Sequence, residues 1–326
     1  MRPLVALVVL VASSLVAACG SDASDPASAQ TTPEAPGPTE EVAEEGPALD
    51  LPTPAEHARA HGEFGSYWHQ GLAELTRYEL RQARYGDVHE GEAVLIFVTE
   101  PFLPDAQVKH EHGDHESVPV LKLNAWRRFF TGIYPYTILT SSFQPEEGPR
   151  ALKVASSVTE WCGVAYAQLN RREDAVEAVV HSYFQDEGDQ ALRLEEAGVA
   201  FEDALWQRLR RDPGAIETGE RRMVPAMHSL RMTHRPLQAY DAEVRVEEGE
   251  EEGTEVLAVT YPALGRMLRV TFREAFPHVI EGWTEREGPD APVTRATRSH
   301  AVLTDYWAHN GAEDGAYRHA LGFGDR

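Results

Sequence analysis

From Leu72 onward the chain alternates short apolar runs with Gly, Pro or charged clusters, the pattern of strands joined by tight turns. Tyr78 and Leu80 lead into the turn signal Tyr85-Gly86-Asp87, and the apolar run Ala93 to Val98 is bounded by Gly91 and Pro101. This predicts a hairpin with a well-buried second strand. Val118 to Leu123, Phe129 to Tyr134, Tyr136 to Phe143, Leu152 to Val158, Cys162 to Leu169 and Val176 to Phe184 continue the series, each β-branched or aromatic in character. Met223 to Met232, Ala239 to Val246, Val256 to Tyr261, Arg266 to Phe272 and Val279 to Trp283 extend it, with Glu247 to Glu255 as an acidic hairpin tip. Val270 and Phe272 alternate with Arg269, Thr271 and Arg273, so one face of the sheet is buried.

One helix interrupts the strands. Phe201, Leu205 and Leu209 recur every four residues, Glu202 and Asp203 occupy the first turn, and Arg208, Arg210 and Arg211 the last, as the helix dipole favours. Asp212-Pro213-Gly214 ends it. His57 to Trp68 has a short helical pattern broken by Gly62 and Gly65, and the tail from Asp305 predicts a short helix around Tyr317 and Leu321. The expected fold over residues 57–326 is α+β and mostly β: a large curved antiparallel sheet, half-barrel or barrel-like, with one central helix and a short C-terminal helix. Two sub-sheets joined near 198–222 are the other arrangement the pattern admits.

The N-terminal pattern is different. Arg2 precedes the unbroken apolar run Leu4 to Val11, continued by Ala12 to Val16, too short for a membrane anchor and typical of an export signal. Val16-Ala17-Ala18-Cys19 resembles the lipobox of bacterial lipoproteins, which implies removal of residues 1–18 and lipidation of Cys19. Residues 19–56 are Ser, Ala, Thr, Pro and acid without Lys or Arg, a composition that predicts a disordered acidic tether. The net charge of −23 becomes −24 once Arg2 is lost with the signal. Repulsion then opposes nucleic acid and anionic headgroups, so membrane attachment falls to acyl chains. With Cys19 lipidated, Cys162 has no partner for an intrachain disulfide. Gly20 and Ser21 include no Asp of the kind that retains lipoproteins at the inner membrane, which points to the outer membrane, facing the periplasm, in a host with two membranes.

Three clusters offer chemistry. His110, His112 and His115 form the richest local set of metal-type ligands, but without the spacing of a known zinc motif. Cys162, with His181 on the next predicted strand, is a candidate thiol site, although no third group orients the pair. Asp186, Glu187 and Asp189 could offer oxygens to calcium but lack EF-hand spacing. No Gly-x-Ser-x-Gly elbow, phosphate-binding Gly-rich loop or Cys-x-x-Cys stands in the sequence, and no cofactor is implied.

Ala-Val-Leu-Ile-Phe-Val-Thr-Glu at 93–100, Thr-Gly-Ile-Tyr-Pro-Tyr at 131–136, Glu-Trp-Cys-Gly at 160–163, Ser-Tyr-Phe-Gln-Asp-Glu-Gly-Asp-Gln at 182–190 and Asp-Tyr-Trp-Ala-His-Asn at 305–310 resemble a family of uncharacterised bacterial lipoproteins. Its members are sometimes labelled septum formation inhibitor Maf. The Ser-Pro-Arg-Arg-like phosphate motif of the pyrophosphatases of that name is not in this sequence, so the resemblance implies a lipoprotein and no particular activity. The expected role is that of a lipid-anchored binding, carrier or envelope-maintenance protein, with a metal-dependent or thiol hydrolase of the periplasm as the alternative. A carrier of an apolar or lipid ligand would hold it in an apolar hollow under residues 201–211.

Overall fold

A two-residue turn starts the sheet. Tyr85 and Gly86 both have positive φ, 56° and 88°, the geometry that matches the twist of a tight hairpin. They join β1 (Ala73–Arg84) to β2 (Asp87–Leu103), with Arg84 opposite Asp87. The computed structural model describes residues 49–324, all within one compact unit. The predicted signal 1–18, Cys19 and the tether up to residue 48 lie outside the described residues. The first helix, α1 (Pro54–Ala60), begins inside the stretch read as tether, because Thr53 and Glu56 cap each other's backbone N–H groups and Pro54 suits a first helical position. After it comes α2 (Phe64–Trp68).

The remaining strands are β3 (Val108–Lys109), β4 (Val118–Thr131), β5 (Tyr134–Pro145), β6 (Lys153–Glu160), β7 (Gly163–Arg171), β8 (Val176–Ser182), β9 (Gln190–Leu194), β10 (Ala200–Phe201), β11 (Gly219–Val224), β12 (Tyr240–Glu248), β13 (Thr254–Tyr261), β14 (Arg266–Arg273), β15 (Ile280–Glu287) and β16 (Val293–Thr304). All but β3 lie on one hydrogen-bonded path, β10-β11-β12-β13-β14-β15-β16-β1-β2-β4-β5-β6-β7-β8-β9, antiparallel except between β10 and β11. The sheet is open. Its two edge strands, β9 and β10, are consecutive in the chain and joined by residues 195–199, and β3 pairs only with β2.

Curvature has local causes. The register shifts between Arg77 and Tyr78 in β1 and between Thr271 and Phe272 in β14, irregularities that bend a strand. At Gly91 a Cβ would come within 2.4 Å of the Arg128 carbonyl oxygen, and at Gly282 within 2.3 Å of that of Ala296, so only glycine permits these close approaches.

The concave face wraps the helix α3 (Leu205–Arg211), which is shorter than the span 201–211 read from the sequence: Phe201 belongs to β10 and residues 202–204 form a 3₁₀ turn. Leu205, Trp206 and Leu209 pack into one core with Tyr78, Phe97 and Trp283, among others, and the Trp206 and Trp283 rings meet edge to face at 5.3 Å. A second correction concerns Met223 to Met232, expected as a strand. Pro225 cannot continue the ladder; β11 stops at Val224 and residues 227–232 form α4 (Met227–Met232), which buries Met227 and Leu230 against β6 and β7 residues. The tail ends in α5 (Gly315–Ala320), and Leu321 packs with Leu75 and Val302.

Toward β1, β4 and β15 the interior below α3 is filled, where an apolar hollow was expected. Arg210 donates two hydrogen bonds to Glu74 (2.5 and 2.7 Å), which also accepts the Tyr67 hydroxyl. Arg127 forks onto Glu285 (2.7 and 2.8 Å), and Arg266 binds Glu202 and Glu287. The space left among Arg127, Glu202, Asp203, Trp206, His228 and Glu285 is about 20 Å³, room for a single water. The reason is the helix itself, whose residues 205–210 are all buried and whose charged members need partners in the interior. Burial would raise the Glu285 carboxyl, but the Arg127 guanidinium, with His228 nearby, holds it well below the usual range. Asp203 behaves oppositely. Burial pushes it up to about 6, although His228 and the Met227 N–H, 2.9 Å from its Oδ2, work the other way.

Candidate ligand-binding site

Consecutive antiparallel strands put alternate turns at one end of the sheet. The turns β1–β2, β4–β5, β6–β7 and β8–β9, together with the long β11–β12 connection that contains α4, share the end marked by Tyr85. At that end the concave face of β6, β7, β8 and β9 carries the cross-strand row Ser156, Ala167, Val180 and Gln190, beside Val158 and Ala165. These side chains are mostly small. They cannot fill the distance to α4, and a pocket of about 530 Å³ remains between Val158, Ala165, Val180 and Phe184 on one side and Met227 and Leu230 on the other.

The sequence places α4 over this pocket by three devices. Asp203 accepts the Met227 N–H, Arg84 donates to the Met232 carbonyl at 2.5 Å, and the helix ends in a left-handed residue, His234 (φ 53°). The Arg235 N–H reaches the Leu230 carbonyl (2.9 Å) and the His234 N–H that of Arg231 (3.4 Å), the pairing of a Schellman motif. That ending turns Arg231, His234 and Arg235 to the pocket rim. The Arg231 guanidinium stacks on Phe184 at 3.9 Å, and Glu187 binds both His234 (2.6 Å) and Arg231 (3.4 Å). Among the described residues, no carboxylate lies within ion-pair distance of Arg235. The pocket therefore has an apolar body and a polar mouth of mixed charge, where Arg231 and Arg235 stand with Asp186 and Glu187, which suits an apolar molecule with a polar tip.

Large side chains stand exposed on the turns of the same end: Tyr85 (63 %), Ile133 (75 %), Trp161 (69 %) and Tyr183 (77 %). Aromatic side chains with one apolar and one polar end suit a membrane–water boundary. Among the described residues, no helix is long and apolar enough to cross a membrane.

The residues singled out in the sequence are scattered. His110, His112 and His115 lie in the loop between β3 and β4, at the opposite end of the sheet, where the His110 Nε2 faces the Gly113 carbonyl at 3.1 Å. Cys162 sits exposed in the β6–β7 turn, and its N–H donates to Glu160 (2.6 Å). Hydrogen bonding and repulsion from Glu160 raise the Cys162 thiol above its ordinary range, the reverse of what a nucleophile needs. His181 lies opposite Tyr166, four positions along the strand from Cys162, and binds Asp189 (3.1 Å). Of the three acids, Glu187 serves the pocket rim and Asp189 serves His181. Among the described residues, no group of three His, Cys, Asp or Glu could hold a metal ion. Reading 227–232 as a strand concealed Arg231, His234 and Arg235; the signals for them were the Met227 and Leu230 spacing after Pro225 and the stop at Pro236.

No family model matches the chain, and no curated protein or solved structure matches it either.

Proposed function

We propose that this protein is a lipid-anchored binding protein of the bacterial cell envelope, tethered through Cys19, that holds an apolar ligand with a polar tip between α4 and strands β6–β9. The observation that carries this reading is the pocket of about 530 Å³ with an apolar body and the polar groups Arg231, His234, Arg235, Asp186 and Glu187 at its mouth. The exposed Tyr85, Ile133, Trp161 and Tyr183 at the same end supply a face compatible with a lipid surface. The chain enters the fold at Leu51 and Pro52 beside Leu303, at the end of the sheet opposite Tyr85, and an acidic tether of the length read for 19–56 would add about 35 Å of reach at that entry. In a host with two membranes the proposed site is the outer membrane, facing the periplasm.

The test uses the full chain purified from its host in detergent. Native mass spectrometry should reveal an apolar ligand, and Ala167→Phe, which puts a ring into the pocket from the floor of β7, should lose it while the far-ultraviolet circular dichroism is unchanged. Equal ligand content in the two proteins would refute the assignment of the pocket. Intact-mass analysis that found no acyl mass on Cys19 would refute the anchor.

A further inference from the structure

The opposite end of the sheet holds a second cavity, of about 300 Å³, at the seam where the edge strands β9 and β10 approach through residues 195–199. Five arginines line it: Arg150 from the β5–β6 loop, Arg171 at the end of β7, Arg208 from α3, and Arg221 and Arg222 from β11. Only Glu196 and Glu217 oppose them there. This is unexpected in a chain with 53 acids and 30 bases, where the other buried arginines, Arg127, Arg210 and Arg266, each have a carboxylate.

The two acids are already engaged. Glu217 binds Arg221 at 2.8 Å, and Glu196 binds Arg222 at 3.4 Å. Arg171 donates instead to three backbone carbonyls, those of Ala151 (2.8 Å), Val199 (2.6 Å) and Ala197, with Phe201 under its guanidinium at 4.5 Å. Arg208 is 6 % exposed, gives one hydrogen bond to the Ala215 carbonyl (2.6 Å), and its Nε has no partner. Arg150 packs against Gly198, where a Cβ would come within 3.2 Å of its Nη2; among the described residues no carboxylate lies within ion-pair distance of it, although its charge is felt at Glu217. Burial, with repulsion from Arg150, brings Arg171 down to about 10, and burial also lowers Arg208, opposed by Glu217 and aided by Arg211 and Arg221. Three guanidinium groups without a carboxylate, two of them mostly buried, converge on one space.

We propose that this arginine cleft binds a phosphate-type dianion, using Arg150, Arg171 and Arg208. Guanidinium forks match tetrahedral oxyanions by paired, charge-assisted hydrogen bonds, and the cavity is large enough for a phosphate group with a small substituent. The same chemistry could be presented by free phosphate or by a phosphate monoester at the end of a larger molecule. The site lies away from the apolar pocket, so it stands or falls separately from the proposed function.

The test is isothermal titration of the full chain in detergent, at fixed ionic strength, with inorganic phosphate and with glycerol 3-phosphate, against acetate and chloride. Saturable binding of phosphate or its ester, with neither acetate nor chloride competing at matched ionic strength, supports the site. Preference for phosphate then identifies the free ion, and preference for glycerol 3-phosphate the ester. Arg150 is exposed, so Arg150→Gln keeps the fold and should weaken binding by about tenfold, the value of one charge-assisted hydrogen bond. Arg245→Gln, on an exposed β12 position paired with Glu243, should change nothing. Absence of saturable binding, equal competition by chloride, or unchanged affinity in Arg150→Gln overturns the proposal.

Discussion

Asp203 offers a sharp test of the packed interior. Its side chain caps α4 in a buried site, and burial raises its pKa from 3.8 to about 6. Between these values the unfolded chain has released the proton and the folded protein still holds it. The contribution of Asp203 to stability is therefore fully present below pH 3.8 and is lost as the pH rises through 6. Asp203→Asn keeps an oxygen for the Met227 N–H and cannot ionise, so it copies the protonated state at every pH. At neutral pH the wild type carries a penalty of about 3 kcal/mol relative to its protonated form, and a little under half of this develops between pH 5 and 7.5. Urea unfolding of both proteins across that range should show the variant gaining on the wild type by about that amount, at unchanged denaturant slope. Parallel stability curves, or a variant that loses ground as the pH rises, would refute the account of Asp203 as a buried, nearly unpaired acid.

Further outcomes follow from other contacts. Arg127→Met strands Glu285 in the interior beside His228 and should destabilise the fold by about 3–5 kcal/mol in denaturant melts, with part recovered by adding Glu285→Gln. Trp206→Ala removes the ring that packs on Trp283 and should cost about 3–5 kcal/mol, read in the same melts. Cys162 should react with iodoacetamide at pH 7.5 more slowly than a free model thiol, and faster in Glu160→Gln, because the carboxylate that raises the thiol is gone. Gly91→Val drives a side chain into the Arg128 carbonyl and should disrupt the β2–β4 ladder, seen as loss of soluble protein or a depressed melting point.

The strands that could be read from sequence were those with one wet face, such as β14, or with an unbroken apolar run between turn residues, such as β2. β14 alternates without a break, Leu268, Val270 and Phe272 inward and Arg269, Thr271 and Arg273 outward, and Tyr85-Gly86 announces its own turn. β16 gave no such signal, since its inward positions Thr294 and Ala296 are as small or polar as its outward ones. Its place is set by pairing with β1, more than 200 residues away in sequence, which periodicity cannot detect. The helix α3 was visible in outline because Leu205 and Leu209 keep its spacing, yet charges placed to suit the helix dipole gave no sign that Arg208 and Arg210 need interior partners. They are buried, and what satisfies Arg210, Glu74, lies on β1. The cavities were invisible for a related reason: both are made by residues brought together from distant strands, and neither contains a local motif. The small residues Ala165 and Ala167 matter only because α4 stands across from them.

The pairing of β1 with β16 has a kinetic consequence. The first and last strands meet in the middle of the sheet, and two arms spread from that junction, β2 to β9 on one side and β15 to β10 on the other. A chain that becomes available from its N-terminus can zip up its early arm through local hairpins, but β1 must present an open ladder until β16 arrives. Such non-local closure is slow and leaves a sticky edge exposed in the meantime. Chains truncated before Val293 should accordingly aggregate rather than fold partially, and a circular permutant that links Phe323 to Leu51, which pack in one cluster, through a short peptide and opens at the 195–199 seam should fold faster than the parent.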